Sequence, residues 1–212
     1  MSAYKYSDAV VLIFAKAPVA GEVNTRLIPD IGIEAATELQ RELVMNRLNI
    51  LRQHNLCVIQ LWCAPNQHHE FFQDCKNQYA IELFDQHGVD LGARMSSAIK
   101  QNLNKFKRVV LIGTDAPSLT NTHIDTAIKQ LAENDIVIAP AEDGGYVLIG
   151  MSRHCHDVFD EVEWGSSTVL ETTRERIKRN NLTSFEIEMC WDIDRVEDYF
   201  RYKKSQSPNQ MD

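Results

Sequence analysis

The sequence has no surplus of basic residues, no long apolar run and no paired cysteine pattern, and each absence removes a class of protein. Twenty-two Lys and Arg against thirty Asp and Glu leave a formal net charge of −8, which disfavours nucleic acid or an anionic membrane as partner because both demand a basic face. Any phosphate binding must therefore rest on a local group of cations. The five cysteines, Cys57, Cys63, Cys75, Cys155 and Cys190, are odd in number and show no C-x-x-C spacing. That pattern indicates neither a disulfide framework nor a zinc knuckle, and reduced thiols are the default. The apolar stretch that ends at Lys16 is too short for a membrane span and lacks a convincing signal peptide. A soluble, cytoplasmic protein is expected.

What the chain does have is enough apolar material for a substantial core: 212 residues, 44% hydrophobic and 25% charged, most simply one globular domain over residues 1–204. The polar end, residues 205–212 (SQSPNQMD), is expected to be a disordered tail. Short apolar runs alternate with helical periodicity. Val10 to Ala15 (VVLIFA) and Val109 to Ile112 (VVLI) are all-apolar, the mark of strands buried on both faces of a parallel sheet. Weaker strands are expected at 57–63, 80–84, 136–139, 146–149 and 184–188. Between the first two, Ala36, Leu39, Leu43, Val44, Leu48 and Leu51 recur at threes and fours on one helix face, with Glu38, Arg41, Glu42 and Arg47 assigned to the polar side.

Three passages carry candidate chemistry. After the first strand comes a loop that is cationic inside an acidic protein, with Lys16, Pro18, Gly21, Asn24, Thr25, Arg26 and Pro29. A strand, a Gly- and Pro-containing loop with fixed cations and then a helix is a way to hold a nucleotide phosphate chain. The loop is neither G-x-x-x-x-G-K-[ST] nor G-x-G-x-x-G, and an ordinary exposed loop has the same composition. After the strand at 109–112, Gly113 and Pro117 hold Asp115 in a tight turn. Open α/β sheets bind ligands at the carboxyl ends of their strands, so a carboxylate there is placed for a divalent cation, or else it bonds its own turn. Near the end of the chain, Trp191-Asp192-Ile193-Asp194 sets two carboxylates in D-x-D spacing before a helix, which suits a cation bridging a diphosphate; Asp194 is alternatively an N-cap, together with Glu197.

Two glycine-broken passages complete the set. In QHGVDLGARM, Gly88 and Gly92 bracket Asp90 before a helix, a junction where a base or ribose can approach the backbone with Arg94 near the phosphates, or a plain turn. In PAEDGGYVLIG, Glu142 and Asp143 precede Gly144 and Gly145, and Tyr146 begins a returning strand; the glycines imply close approach by a ligand or by another segment. His154 and His156 alternate without a third ligand, and solvent-exposed histidines are expected.

Together these passages resemble a bacterial family of GT-A-like, nucleotide-diphospho-sugar transferase-type proteins, the DUF2064 group. The family pattern KxPxxGxxKTRL, GDLGxRM, GTDxP, PAxDGGYxLxG, WG[ST] and DxDxxED stands here as KAPVAGEVNTRL, VDLGARM, GTDAP, PAEDGGYVLIG, WGSS and DIDRVED, in order from about Val10 to about Phe200. The resemblance implies a three-layer α/β/α domain with a mostly parallel sheet and a nucleotide bound across the strand ends. It implies Mg²⁺ or Mn²⁺ on Asp115, with Asp192 or Asp194 as second ligand, and phosphate contacts from Lys16 and Arg26 in the loop that also holds Gly21 and Thr25, with Gly92 and Arg94 nearby. Asp143 is then the candidate for holding or deprotonating an acceptor hydroxyl, beside Gly144, Gly145 and Tyr146, and Trp164 is a stacking wall or core. Asn24 departs from the family's lysine and removes a cation; Arg195 and Val196 stand where a Thr-Pro helix start is common. The expected activity is glycosyl transfer from a nucleotide sugar to a small-molecule acceptor, the alternatives being nucleotidyl transfer from an NTP or nucleotide binding without turnover.

Overall fold

The computed structural model describes residues 4–206. Seven strands and six α-helices alternate along them: β1 (Ala9–Lys16), α1 (Ile28–Arg52), β2 (Val58–Ala64), α2 (Glu70–Tyr79), β3 (Glu82–Asp85), α3 (Leu91–Leu103), β4 (Arg108–Ile112), α4 (Asn121–Gln130), β5 (Ile136–Pro140), β6 (Tyr146–Met151), α5 (Val169–Arg179), β7 (Ser184–Glu186) and α6 (Val196–Gln206). They form one sheet in the order β3-β2-β1-β4-β6-β5-β7. All neighbours are parallel except β6, which runs antiparallel to both β4 and β5. This is the mostly parallel, three-layer arrangement of the GT-A-like fold.

The reason for the layering is visible in β1. Side chains alternate across a strand, so Val11, Ile13 and Ala15 join the core under α1, α2 and α4, while Val10, Leu12 and Phe14 join the core under α3 and α5. A strand clothed on both faces must be apolar throughout, which is why the run at 9–15 has no polar interruption. A third, smaller cluster packs Tyr202 and Ile193 from the C-terminal region against Leu27, Leu39 and Leu43.

Several local expectations change. Helix α6 continues through Gln206, so Ser205 and Gln206 are helical and not part of a tail; positions 207–212 of the expected tail lie outside the described residues. Its N-terminal N–H groups at Asp194 and Arg195 are taken by the Asp198 carboxylate, at 3.2 and 2.9 Å, not by Asp194 or Glu197. Arg47 is not on a solvated helix face. It lies three residues after Val44 and four before Leu51, on the apolar side, and is 2% exposed. Finally, His156 is exposed as expected but His154 is only half-exposed, and His154 Nε2 and His156 Nδ1 both meet the Oγ of buried Ser96, at 2.9 and 3.0 Å.

Candidate active site

Because β6 reverses direction, β1, β2, β3, β4, β5 and β7 all end at one edge of the sheet, and the loops leaving them share that edge. A cleft of about 340 Å³ opens there, lined by the polar residues Lys16, Asn24, Gln40, Gln86, Thr114, Asp115 and Asp192, and by Phe14, Leu91, Met95, Leu111 and residues of β6 that begin with Tyr146.

Asp115 reaches the cleft from the turn after β4. Asp115 is exposed to solvent through the cleft, and the chain around it encloses its carboxylate only in part. The side chain folds back over Gly113, where an added Cβ would stand 2.6 Å from Asp115 Oδ1; glycine is needed at 113 because anything larger displaces the carboxylate. Enclosure pushes the Asp115 pKa up, its own backbone N–H, Arg47 and Lys16 pull it down, and Asp143 pushes it up again.

Asp192 is brought to the same place by lacing between loops. Ile193 N–H donates to Asp115 O at 2.9 Å, and Ser118 both donates to Trp191 O (2.7 Å) and accepts from Trp191 N–H (2.8 Å). On the other side Cys190 N–H donates to Pro140 O and Glu142 N–H to Cys190 O, at 2.8 and 3.1 Å. The segment carrying Asp192 is thus sewn between the turn bearing Asp115 and the turn bearing Asp143. Burial raises the Asp192 carboxyl to about 7, with the charges of Asp115, Asp143 and Asp194 adding to the rise. Carboxylates crowded closely enough to raise Asp192 in this way are a fit for a divalent cation, which removes their repulsion. Among the described residues no three His, Cys, Asp or Glu side chains are grouped to hold a metal unaided. A cation held by Asp115 and Asp192 would take its remaining oxygens from phosphate and water.

The other candidates divide. Lys16 lines the cleft. Arg26 does not; its guanidinium is bonded to both oxygens of Asp194, at 2.7 and 2.6 Å, so Asp194 faces Arg26 and only Asp192 of the D-x-D pair faces the cleft. Asn24 has φ +48° and donates its amide to Ala36 O at 2.9 Å, which makes it a turn former tied to α1. Gly21 and Thr25 are exposed on the same loop outside the cleft lining. Asp143 is exposed, with Oδ1 accepting from Gly145 N–H at 2.8 Å and Oδ2 free of any such bond.

The glycine passages pack protein against protein. At Gly92 an added Cβ would meet the Trp164 indole at 2.6 Å, and at Gly144, φ +89°, it would meet Ser167 O at 2.1 Å. Trp164 therefore seats on Gly92 and edge-on to Tyr146, with ring centroids 6.4 Å apart, as a wedge behind the cleft wall and not as part of its lining. Arg94 donates to Gly88 O at 3.2 Å, closing the turn before α3, and the Tyr146 hydroxyl is buried.

Two features were not legible in the sequence motifs. Arg47, from α1, donates to Ala116 O and Leu119 O, both at 2.5 Å, and so clamps the turn that carries Asp115. Burial lowers its pKa to about 10, which leaves it charged at neutral pH and adds a positive field behind Asp115. The signal available was its spacing on the apolar face. Gln40 and Gln86 also enter the cleft, their amides anchored on the ends of β1 and β2.

An acidic cluster and a lysine at the carboxyl edge of a mostly parallel sheet, with one reversed strand, define a protein of the GT-A-like, nucleotide-diphospho-sugar transferase fold. The family described as "Uncharacterized protein conserved in bacteria (DUF2064)" matches residues 47–166, and the chain belongs to it. A crystal structure from Desulfovibrio desulfuricans G20, provisionally named a nucleotide-diphospho-sugar transferase, is similar at 31% identity and a TM-score of 0.83, over 95% of this chain and 90% of that one. Likeness of fold alone extends to a 4-diphosphocytidyl-2C-methyl-D-erythritol synthase from Anaerococcus prevotii DSM 20548 (TM-score 0.61, 11% identity, 95% of this chain and 99% of that one). It also extends to an inositol-1-phosphate CTP transferase from T. maritima (TM-score 0.54, 12% identity, 91% of each chain). No curated protein matches the sequence.

Proposed function

We propose that the chain is a Mg²⁺- or Mn²⁺-dependent glycosyltransferase that takes its donor as a nucleoside-diphosphate sugar. The observation that carries this reading is the convergence of Asp115, Asp192 and Lys16 on one cleft, with Asp143 near enough to shift both carboxyls. A diphosphate is the better match than a triphosphate because the loop after β1 offers the cleft one cation: Asn24 replaces a lysine and is spent on Ala36, and Arg26 is held by Asp194.

In this reading Asp115 and Asp192 hold the cation, which when bound supplies a Lewis acid for the diphosphate oxygens. The acceptor oxygen forms a bond to the anomeric carbon while the bond from that carbon to the phosphate oxygen breaks. Asp143, with one oxygen fixed in its turn and the other free, takes the acceptor's proton. The nucleoside diphosphate leaves with the electron pair, and Lys16 offsets the charge that grows on it. Gly113, Arg47 and the loop lacing keep Asp115 in place, so the site is formed before substrate arrives.

Nucleotidyl transfer is the second reading, and Arg26 is the observation in its favour. The Arg26–Asp194 pair is at the surface, with side chains 61% and 31% exposed. Such a pair contributes only about 0–1 kcal/mol, so the guanidinium can be recruited by a triphosphate at little cost. Product analysis separates the two. With Mn²⁺ and a panel of nucleotide sugars, release of nucleoside diphosphate, lost in Asp115→Asn, is the expected result. Pyrophosphate release from an NTP would replace it with the second reading, and binding without any release would leave a nucleotide-binding protein.

A further inference from the structure

Resting on that reading, the cleft also says which nucleobase it receives. Its lining carries two chemistries. Lys16, Asp115 and Asp192 supply charge suited to phosphates, while Phe14, Leu91 and Met95 are apolar. Phe14 is backed by a column of rings, stacked on Trp62 at 6.1 Å and 26°, with Trp62 stacked on Phe84 at 5.0 Å and 16°. The rings stack side by side across β1, β2 and β3 and hold Phe14, which is 9% exposed, rigidly in the cleft wall.

Gln86 is a polar group of the same lining. Its backbone N–H donates to Cys63 O at 3.3 Å, so the residue is fixed to the end of β2. Its side-chain Nε2 donates to Trp62 O at 2.9 Å and more loosely to Ala15 O at 3.4 Å. A carbonyl oxygen only accepts, so the end of the amide facing these two must be the NH₂, and both of its hydrogens are thereby committed. What remains is Oε1. Nothing among the described residues donates to it, and it is not one of the buried polar atoms left without a partner. In the sheet order β2-β1-β4, an amide lying over the ends of β1 and β2 is one to two strand spacings, about 5 to 10 Å, from the end of β4.

We propose that Gln86 reads the base as a fixed acceptor, selecting nucleobases that carry an exocyclic amino group and rejecting those that present a carbonyl at the same position. Cytosine and uracil differ there by an amino group against O4. In the uracil pose two oxygen lone pairs face each other, and the amide cannot turn over to donate without breaking its bond to Trp62 O. A site built to pair with a donor discriminates sharply against the analogue that lacks it, because the acceptor is then left unpaired.

The test is calorimetric titration of the whole chain with Mn²⁺ and five nucleoside diphosphates: CDP, UDP, ADP, GDP and IDP. CDP against UDP and ADP against IDP exchange an amino group for a carbonyl, and GDP against IDP removes one. For the ring that binds, the amino-bearing member is expected to bind at least about tenfold more tightly. Gln86→Met, checked by its melting temperature, is expected to collapse that ratio to within about threefold. UDP or IDP binding as well as its amino counterpart overturns the proposal alone, as does a Gln86→Met variant that folds and keeps the full ratio. Failure of all five to bind overturns it together with the transferase reading.

Discussion

Arg47 shows how one buried side chain governs the position of another. A guanidinium 2% exposed, bonded to Ala116 O and Leu119 O, costs desolvation that nothing in the core repays unless the turn it holds matters. Replacing it leaves Leu119 O without a donor and Ala116 O with the Leu119 N–H alone. Arg47→Met is expected to lower stability in urea by about 2–4 kcal/mol and to weaken Mn²⁺-dependent nucleotide binding further than Arg47→Lys does. Equal nucleotide affinity in a folded Arg47→Met would show that the clamp has no bearing on Asp115. This residue also marks a limit of reading the sequence by charge. Arginine was placed with the solvated residues of α1 on its chemistry, yet the period of the helix sets it with Val44 and Leu51. The placement of Lys16 and Asp115 at the cleft, by contrast, was legible, because one ends an apolar strand and the other lies in the turn three residues past one.

Among the elements, helix α3 and the Trp164 loop are coupled through a single glycine. Position 92 had two readings, approach of a base or ribose or a plain turn; the structure adds a third, since a Cβ added there would stand 2.6 Å from the Trp164 indole. Gly92→Ala is expected to destabilise by about 1–3 kcal/mol through overpacking, with a change in tryptophan fluorescence, while nucleotide affinity changes little. A loss of nucleotide affinity at unchanged stability would return Gly92 to the phosphates. The elements themselves were largely legible. Strands β1 and β4 are apolar without a break because helices cover both faces. The return of β6 against β5 was legible in the short Asp143-Gly144-Gly145 turn, but its insertion between β5 and β4 was not, since an apolar strand has the same pattern beside either neighbour. Nor was the cap on α6: the D-x-D-x-x-E-D segment holds four acids, and Asp198 takes the N–H groups because Asp194 is engaged by Arg26.

For the molecule as a whole, the central feature is that parts distant in sequence meet at one edge. Lys16 ends β1, Asp115 follows β4, Asp143 sits between β5 and β6, and Asp192 precedes α6. The sheet order places β1 beside β4, and the hydrogen-bonded segment 190–193 draws the last carboxylate in. Such convergence is a property of topology, which motif spacing announces only through resemblance to a family. The most direct measurement is an anomalous-diffraction map of a crystal grown with Mn²⁺ and a nucleoside diphosphate. The account expects one manganese peak within ligand distance of both Asp115 and Asp192, with the diphosphate bridging it to Lys16. A manganese ion bound elsewhere, or a diphosphate seated away from Asp115, would contradict it.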